Sequence, residues 1–547
     1  MKARYIFLSL LGAACLCSCS KLLDIPQHGV IPIDEFYQTD DQVLSANAEE
    51  YNMFRAQPNG SGAMGLSFYG SMEWAWIQNK EAATDNTWSG GGSRGDNVDG
   101  RQISEWNLDS NTPNISIYYT LLFGQVYRAN LVLDRAPEGQ SDIIDMCRAE
   151  ARVFRAFAYF ELTTLWGTPP LVDHCLTAEE YKVTNSTQEE LWKFMEDDLL
   201  TAINSGKLTE KTGVNDRTTW RITKQYAQAL LGKVYLWQKK YDESAKVLDE
   251  IVKSGKYKLF TEGEYGDMFN PEWNFNCESM FQTNRVPDQN TSQGWRFLAN
   301  YFNFRGGMVN WSPKATAYFE TGGWGICIPT QNLYDAFVAW EGKDGYRLNQ
   351  TMRSYTQLQE EFDFRLNTGV QMEGDSVWMW KTRAIKEHRM GMSRYNGKNW
   401  TIFRYAEVLL TAAESHLMNG NVAKATEYVN LIRERARLAP LASVTLDDIK
   451  MEKRLELCYE GSRLQDLQRW GDAATVLGNK GYDVPQFTVS YDPNHEDDYR
   501  YDTKTIIHNH YYSNPSEYGY KVGKHEYWPF PRTEINANPN IKQNPGY

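Results

Sequence analysis

Residues 142–166, "DIIDMCRAEARVFRAFAYFELTTLW", constrain the fold more than any other stretch. Ala149, Val153, Ala156, Phe157 and Phe160 recur at i, i+4, i+7, i+8 and i+11, the apolar stripe of one helix face. A helix cannot bury its own stripe, so a second helix must cover it. Residues 117–134 ("IYYTLLFGQVYRANLVLD") supply one across a turn rich in Pro, Gly and Gln. "GTPPLVD" then ends the pattern, and residues 187–203 begin another helix.

The pairing recurs. In 223–238 the small residue Gly232 lets a second helix approach closely, Tyr235 packs over it, and Tyr241 and Ala245 open the partner helix. Residues 402–436 repeat the scheme. Ala406, Leu409, Leu410 and Ala413 form one stripe, Asn419-Gly420 the turn, and Ala425, Val429 and Ile432 the second stripe. This is tetratricopeptide logic in divergent, scattered copies. A further helix is expected over 41–57, with Leu44, Ala48, Tyr51 and Phe54 on one side. From Phe68 to Asn114 the chain reads as a long loop, "TDNTWSGGGSRGDNVDG" above all. Residues 255–400 read as irregular apart from a helix at 331–341, and 447–470 as one charged helical stretch. The fold class is therefore mainly α, a tetratricopeptide-like helix-pair scaffold with an irregular, loop-rich portion packed on it.

The N-terminus has Lys2 and Arg4, then a short apolar run, then "ACLCSCSKLLD". The run is too short to span a bilayer and suits a processed leader over 1–18. Leu16-Cys17-Ser18-Cys19 has the pattern of a bacterial lipobox, with small Ser18 at the cut. Cys19 would carry acyl chains, each buried CH₂ contributing about 0.8 kcal/mol to anchoring. Residues 19–40 would then be a lipid-anchored tether and 41–547 a single domain with parts at about 41–250 and 255–547. The formal charge of −13 becomes two units more negative once Lys2 and Arg4 are removed. An acidic chain without a basic cluster argues against nucleic acid. The cysteines beyond the leader show no CxxC spacing and read mostly as buried free thiols.

Four stretches together resemble the SusD/RagB family of nutrient-binding outer-membrane lipoproteins: "RAEARVFRAFAYFELTTLWGTPPLV", "FRYAEVLLTAAESHLMNG" with "VNLIRERA", "EKRLELCYEGSRLQDLQRWG" and "YWPFPRTEINANPNIKQNPGY". Lys453 departs from the family pattern, which has Glu there, and so bears on the charge partner of Arg454. The resemblance implies a lipid-anchored protein on the outer membrane, facing the exterior. It would capture an oligo- or polysaccharide and act as the lid of a SusC-like TonB-dependent barrel, with no bond broken and no cofactor. Peptide capture by the same architecture, as in RagA/RagB-type importers, is the first alternative, a surface glycoside hydrolase the second and a structural repeat adaptor the third.

Arg454, Glu456, Glu460, Arg463, Asp466 and Arg469 share one charged helical stretch. Acid/base catalysis needs two carboxylates across a substrate, and one helix face does not supply that, so a structural ion network is the reading. His495, His508, His510 and the carboxylates of 491–512 lack a metal ligand set and read as solvated loop charges. Arg94-Gly95-Asp96 reads as chance. Gly91-Gly92-Ser93-Arg94-Gly95 spells Gly-x-Ser-x-Gly but lies within the Gly-rich loop, and no phosphate loop or His-Glu-x-x-His is present.

Aromatic faces stack on the C–H faces of sugars while Asn, Asp, Arg and Gln bond the hydroxyls. Trp74 and Trp76 read as packing. Trp88 and Trp311 lie in stretches without helical or strand period and are expected to form the stacking platform, with Tyr301 and Trp324 beside them. Arg94, Asn97, Arg305 and Asn310 stand close in sequence as hydroxyl partners. Truncating Trp88 or Trp311 is expected to weaken binding and leave stability nearly unchanged.

Overall fold

A computed structural model describes residues 32, 33, 35–54, 71–284, 301–389 and 397–547. Cys19, the leader and most of the tether lie outside these. Nine of the described helices carry the scaffold: α1 (Asp40–Asn52), α2 (Pro113–Arg135), α3 (Asp142–Trp166), α4 (Gln188–Asn204), α5 (Lys224–Trp237), α6 (Tyr241–Lys253), α7 (Tyr405–Met418), α8 (Val422–Arg435) and α9 (Leu446–Glu456). Side chains fix their starts. Ser141 accepts from the Ile144 N–H, and Thr187 forms a reciprocal capping box with Glu190.

From α2 to α6 each helix packs on the next, α1 lies on α2 and α3, and α6 packs on α7, which packs on α8 and α9. The scattered pairs of the sequence are thus one array in space, and the loop-rich segment between α6 and α7 packs on it, with Phe281 against Phe154 and Tyr226. Gly232 shows how close the helices lie. A Cβ placed there would stand 2.6 Å from the Leu248 side chain, and Ser244 Oγ donates to its carbonyl at 2.8 Å.

The loop-rich portion is more ordered than the sequence suggests. The Phe68–Asn114 stretch holds the short helix Met72–Trp76, a π-turn Ile77–Glu81, the strand Thr87–Gly90 and the helix Val98–Ser104. Trp88 is therefore a strand residue, paired opposite Ile328 of the antiparallel strand Ile326–Pro329. Four residues are too few to show a period. "SPKATAY" after Trp311 forms the helix Pro313–Tyr318, capped by Ser312. Residues 447–470 are two helices, not one: α9 ends before Tyr459 and Gly461, both at positive φ (67° and 76°), and a second helix runs Arg463–Trp470.

Beside the main core, which runs through the helix array, the loop-rich portion has its own aromatic core of Phe304, Phe319, Tyr355, Phe364, Trp378, Trp380 and Phe487. Its sheets are small. The largest places Val484–Ser490 between Gln371–Glu373 and Thr503–Asn509. Cys147, Cys175, Cys277, Cys327 and Cys458 are free thiols, and all but Cys175 are buried. No described helix is long and apolar enough to cross a membrane.

Candidate functional site

A cleft of about 810 Å³ opens where three Gly-containing loops meet. The loop Gly91–Asn97 leaves the strand Thr87–Gly90 and lines one side, and Arg305–Gly307 with Thr321–Trp324 lines the other. The second wall is thin because its two strands of backbone touch. A Cβ on Gly323 would lie 2.4 Å from the Asn303 carbonyl oxygen, so only glycine fits.

Aromatic rings build the floor. Tyr301 packs against Trp74 and Trp324 with centroids 4.6 and 5.5 Å apart, and Trp74 and Trp324 stand 6.2 Å apart. Trp74 is buried and Trp324 partly so, and both line the cleft. The Trp74 indole N–H donates to Asn114 Oδ1 at 2.9 Å. That bond fixes the amide so that the Asn114 Nδ2 remains a donor, buried and without a hydrogen-bond partner among the described residues. A buried donor left unmade is costly, and Asn114 lines the cleft.

Polar groups form the rim. Arg305 and Asp96 make an ion pair (Nη1–Oδ2 2.5 Å, Nη2–Oδ1 3.1 Å), and Asp96 also accepts from the Gly92 N–H at 2.5 Å. Asn97 Nδ2 reaches Ser89 Oγ and Gln78 Oε1, both at a long 3.4 Å. Burial raises the Asp99 carboxyl above its usual range. The cleft thus combines an indole surface with amide donors and carboxylate acceptors, a set that bonds vicinal hydroxyls.

The residues expected from the sequence are divided by the structure. Trp324, Arg305 and Asn97 line this cleft, and Tyr301 lies directly beneath it. Tyr301 is fully buried, so it backs Trp324 rather than offering a face of its own. Trp311 packs against Phe304, Phe319 and Phe364, and its indole N–H donates to the Gly306 carbonyl at 3.1 Å. It braces the cleft wall from behind. Asn310 turns to the Tyr491 hydroxyl at 3.3 Å. Arg94 points elsewhere: it grips Glu105 at 2.6 and 2.8 Å and lies 3.7 Å over the Tyr511 ring. Trp88 and Trp311 therefore do not share a platform. Trp74, Asn114, Asp96 and Asp99 are cleft residues that the sequence did not single out for this site.

Trp88 lines a second cavity of about 520 Å³. Its charges are matched internally. Asp85 takes both arms of Arg463 at 2.9 and 3.0 Å and pairs with Arg454 at 2.8 Å. Burial alone would raise Asp85, but Arg463 and Arg454 hold it at about 2. Lys480 donates to the carbonyls of Ala82 (2.8 Å), Thr87 (2.6 Å) and Thr84, and burial pushes it down to about 7. Asp375 accepts from the Trp88 indole at 2.9 Å and from the Gln331 N–H at 2.7 Å. This is a joint between elements, and it explains Lys453 as well. Arg454 finds Asp85, Asn86 and Asn332, while Lys453 pairs with Asp466 at 2.9 Å.

Two family models match the chain, the SusD family over residues 340–547 and "starch-binding associating with outer membrane" over 71–236. The chain belongs to the SusD family. SusD-like protein P38 of Formosa agariphila is 24% identical over 503 residues, covering 86% of this chain and 92% of its own. Among solved structures, a laminarin-binding SusD-like protein superposes with a TM-score of 0.73 at 23% identity, covering 93% of this chain and all of the other. Surface glycan-binding protein A from Bacteroides thetaiotaomicron, in complex with laminarihexaose, gives 0.70 at 21%, covering 92% and 99%. The family's fold therefore extends along nearly the whole chain.

Proposed function

We propose that this SusD-family protein binds a glycan, without cleaving it, in the cleft between Trp324 and the Asp96–Arg305 pair. The observation that carries the reading is the placement of Trp324. It lies partly exposed over a rigid support of Tyr301 and Trp74, beside the buried, unsatisfied donor of Asn114. Stacking needs a fixed ring and hydroxyl recognition needs prepaid orientation. Both are present here. Asp96 is committed to Arg305 and to a backbone N–H, so it is not placed to work as an acid or base. Family membership supports capture at the outer membrane beside a SusC-like TonB-dependent barrel, with Cys19 as the acylated residue and 41–547 as one domain. The laminarin-binding relative makes laminarin the first probe of a glycan panel.

The test compares Trp324→Ala with Trp311→Ala in the mature chain. Removing the stacking ring forfeits about 2 kcal/mol, roughly thirtyfold in affinity. Calorimetry on the glycan that binds should show that loss for Trp324→Ala, with bound oligosaccharide recovered intact. Trp311→Ala should lower the melting temperature more than it weakens binding per folded molecule. Unchanged affinity in a folded Trp324→Ala variant would refute the assignment.

A further inference from the structure

A third cavity, about 360 Å³, lies between α2, the segment 170–183 and the C-terminal helix Arg532–Ala537. It shares no lining residue with the cleft above. Tyr119, Phe123 and Tyr127 occupy positions i, i+4 and i+8 of α2, hence one face of that helix, and Tyr181 lines the pocket with them. Tyr119 and Phe123 stand 4.8 Å apart, while Tyr127 and Tyr181 are 50% and 63% exposed at the mouth. Core packing does not require rings left so open.

The polar groups of this pocket fall into two sets. Asn130 donates to the Val172 and His174 carbonyls and accepts from Arg155, Thr120 donates to the Ser116 carbonyl, and His174 is paired with Asp173 and Glu180. Those are spent. Glu534 and the Tyr119 hydroxyl are not. Among the described residues the hydroxyl has no partner and Glu534 has no ion pair. Burial is what raises the Glu534 carboxyl above its usual range, and its charge is felt at Tyr119. Elsewhere in the chain rings carry cations, as Arg437 does 3.6 Å over Tyr346 and Arg155 does 4.7 Å over Phe194. None of the four pocket rings has a described cation over it.

We propose that this pocket binds an organic ammonium group, seated among Tyr119, Phe123, Tyr127 and Tyr181 with Glu534 as its counter-charge. Ring faces attract cations, and aromatic cages with a carboxylate suit alkylated or primary ammonium. An uncharged ligand would leave the partly buried Glu534 carboxylate without a counter-charge, and an anion would meet a carboxylate. The ammonium can belong to a free quaternary amine or to a lysyl side chain.

The experiment titrates the mature chain with choline, with Nα-acetyl-lysine methylamide, and with 3,3-dimethylbutanol, the uncharged isostere of choline, by ligand-observed and aromatic NMR. One of the two cations should bind about fivefold or more tightly than the neutral isostere. Glu534→Gln should erase that preference. Tyr127→Ala, at a half-exposed position, should weaken the cation about threefold with an unchanged melting temperature. Tighter choline identifies a free quaternary amine, and tighter acetyl-lysine methylamide a lysyl side chain. Equal affinity for cation and isostere, a preference that survives Glu534→Gln, or no saturable binding below about 50 mM would overturn the proposal.

Discussion

The helix array and the loop-rich portion solve the folding problem by different means. In α2 to α8 the backbone satisfies itself within each helix, so packing need only align the stripes. In the loop-rich portion strands run two to seven residues, and most pair with a single partner. Such ladders are marginal alone. Interlocking rings hold them instead: Phe304 contacts Phe319 at 5.0 Å and Phe364 at 4.5 Å, and Tyr318 stacks on Trp380 at 6.0 Å. The cleft sits on the second kind of structure. Its aromatic richness, which invites a ligand-binding reading at every Trp, is therefore mostly the price of order without long secondary structure, and Trp324 is the one ring we propose for a ligand.

Beside its apolar contacts, the seam between the two regions carries a buried ionic network. Arg347 of the short helix Tyr346–Thr351 meets Glu341, Glu452 and Glu456 at 2.7, 2.7 and 3.0 Å, all fully buried. Arg404 joins Glu278 at 2.5 Å, Glu456 at 2.6 Å and Glu460 at 2.6 Å, and Arg435 adds Glu278 at 3.0 Å. Burial alone would raise Glu456, but Arg435, Arg404 and Arg347 hold it well below the usual carboxylate range. Removing one member of such a set leaves uncompensated buried charge. Glu456→Ala is expected to cost about 3–5 kcal/mol. Chemical denaturation should show the loop-rich portion melting first, seen by its Trp fluorescence, while helical ellipticity persists. A single coincident transition at lower denaturant would show that the two regions are one cooperative unit after all.

A second perturbation sharpens the same seam through pH. Glu81 ends the π-turn and accepts the Gly461 N–H. Burial raises its carboxyl to about 7. Between about 4.5 and 7 the folded chain keeps a proton that the unfolded chain has released. Its contribution is fully present below 4.5 and is lost as pH rises through 7. Glu81→Gln keeps the acceptor and removes the titration. Relative to the parent, it should gain up to about 3 kcal/mol between pH 5 and pH 8. Lys480, held down to about 7 by burial, titrates over the same range and is raised by the Glu81 charge, so the difference measured belongs to Glu81 together with Lys480. Parallel stability curves for the two proteins over that range would show that Glu81 is already ionised.

What could be read from the sequence follows the same division. Residues 142–166 match α3 at both ends, because Ser141 caps it and Gly167 at φ 79° ends it, both local signals. The break within 447–470 has a distant cause: a Cβ on Gly461 would lie 1.9 Å from the Trp76 ring, so the turn is shaped by a side chain far away in sequence. Trp88 reads as loop because its strand exists only through Ile328. Asn114 carries no signal at all, since its role rests on an indole forty residues earlier. Local order is written locally, and the cleft is assembled almost wholly from long-range contacts.

The smallest expected effect tests the helix array by its own rule. Gly232 is a poor helix former, and alanine there should gain about 1 kcal/mol of propensity. The Leu248 side chain 2.6 Å from the new Cβ opposes that gain, since overpacking costs about 1–3 kcal/mol. Gly232→Ala alone should therefore be destabilising by about 1 kcal/mol or less than 2. Leu248 is fully buried, so Leu248→Ala alone leaves a cavity and costs about 2–5 kcal/mol. In the double variant the clash is gone, the propensity gain is free, and the new methyl fills part of the void. The two costs should then fall short of additivity by about 1 kcal/mol or more in a thermal or urea cycle. Additive costs would mean that α5 and α6 shift apart to admit the methyl. In that case the array is plastic, and its regularity owes less to close packing at Gly232 than to the helices themselves.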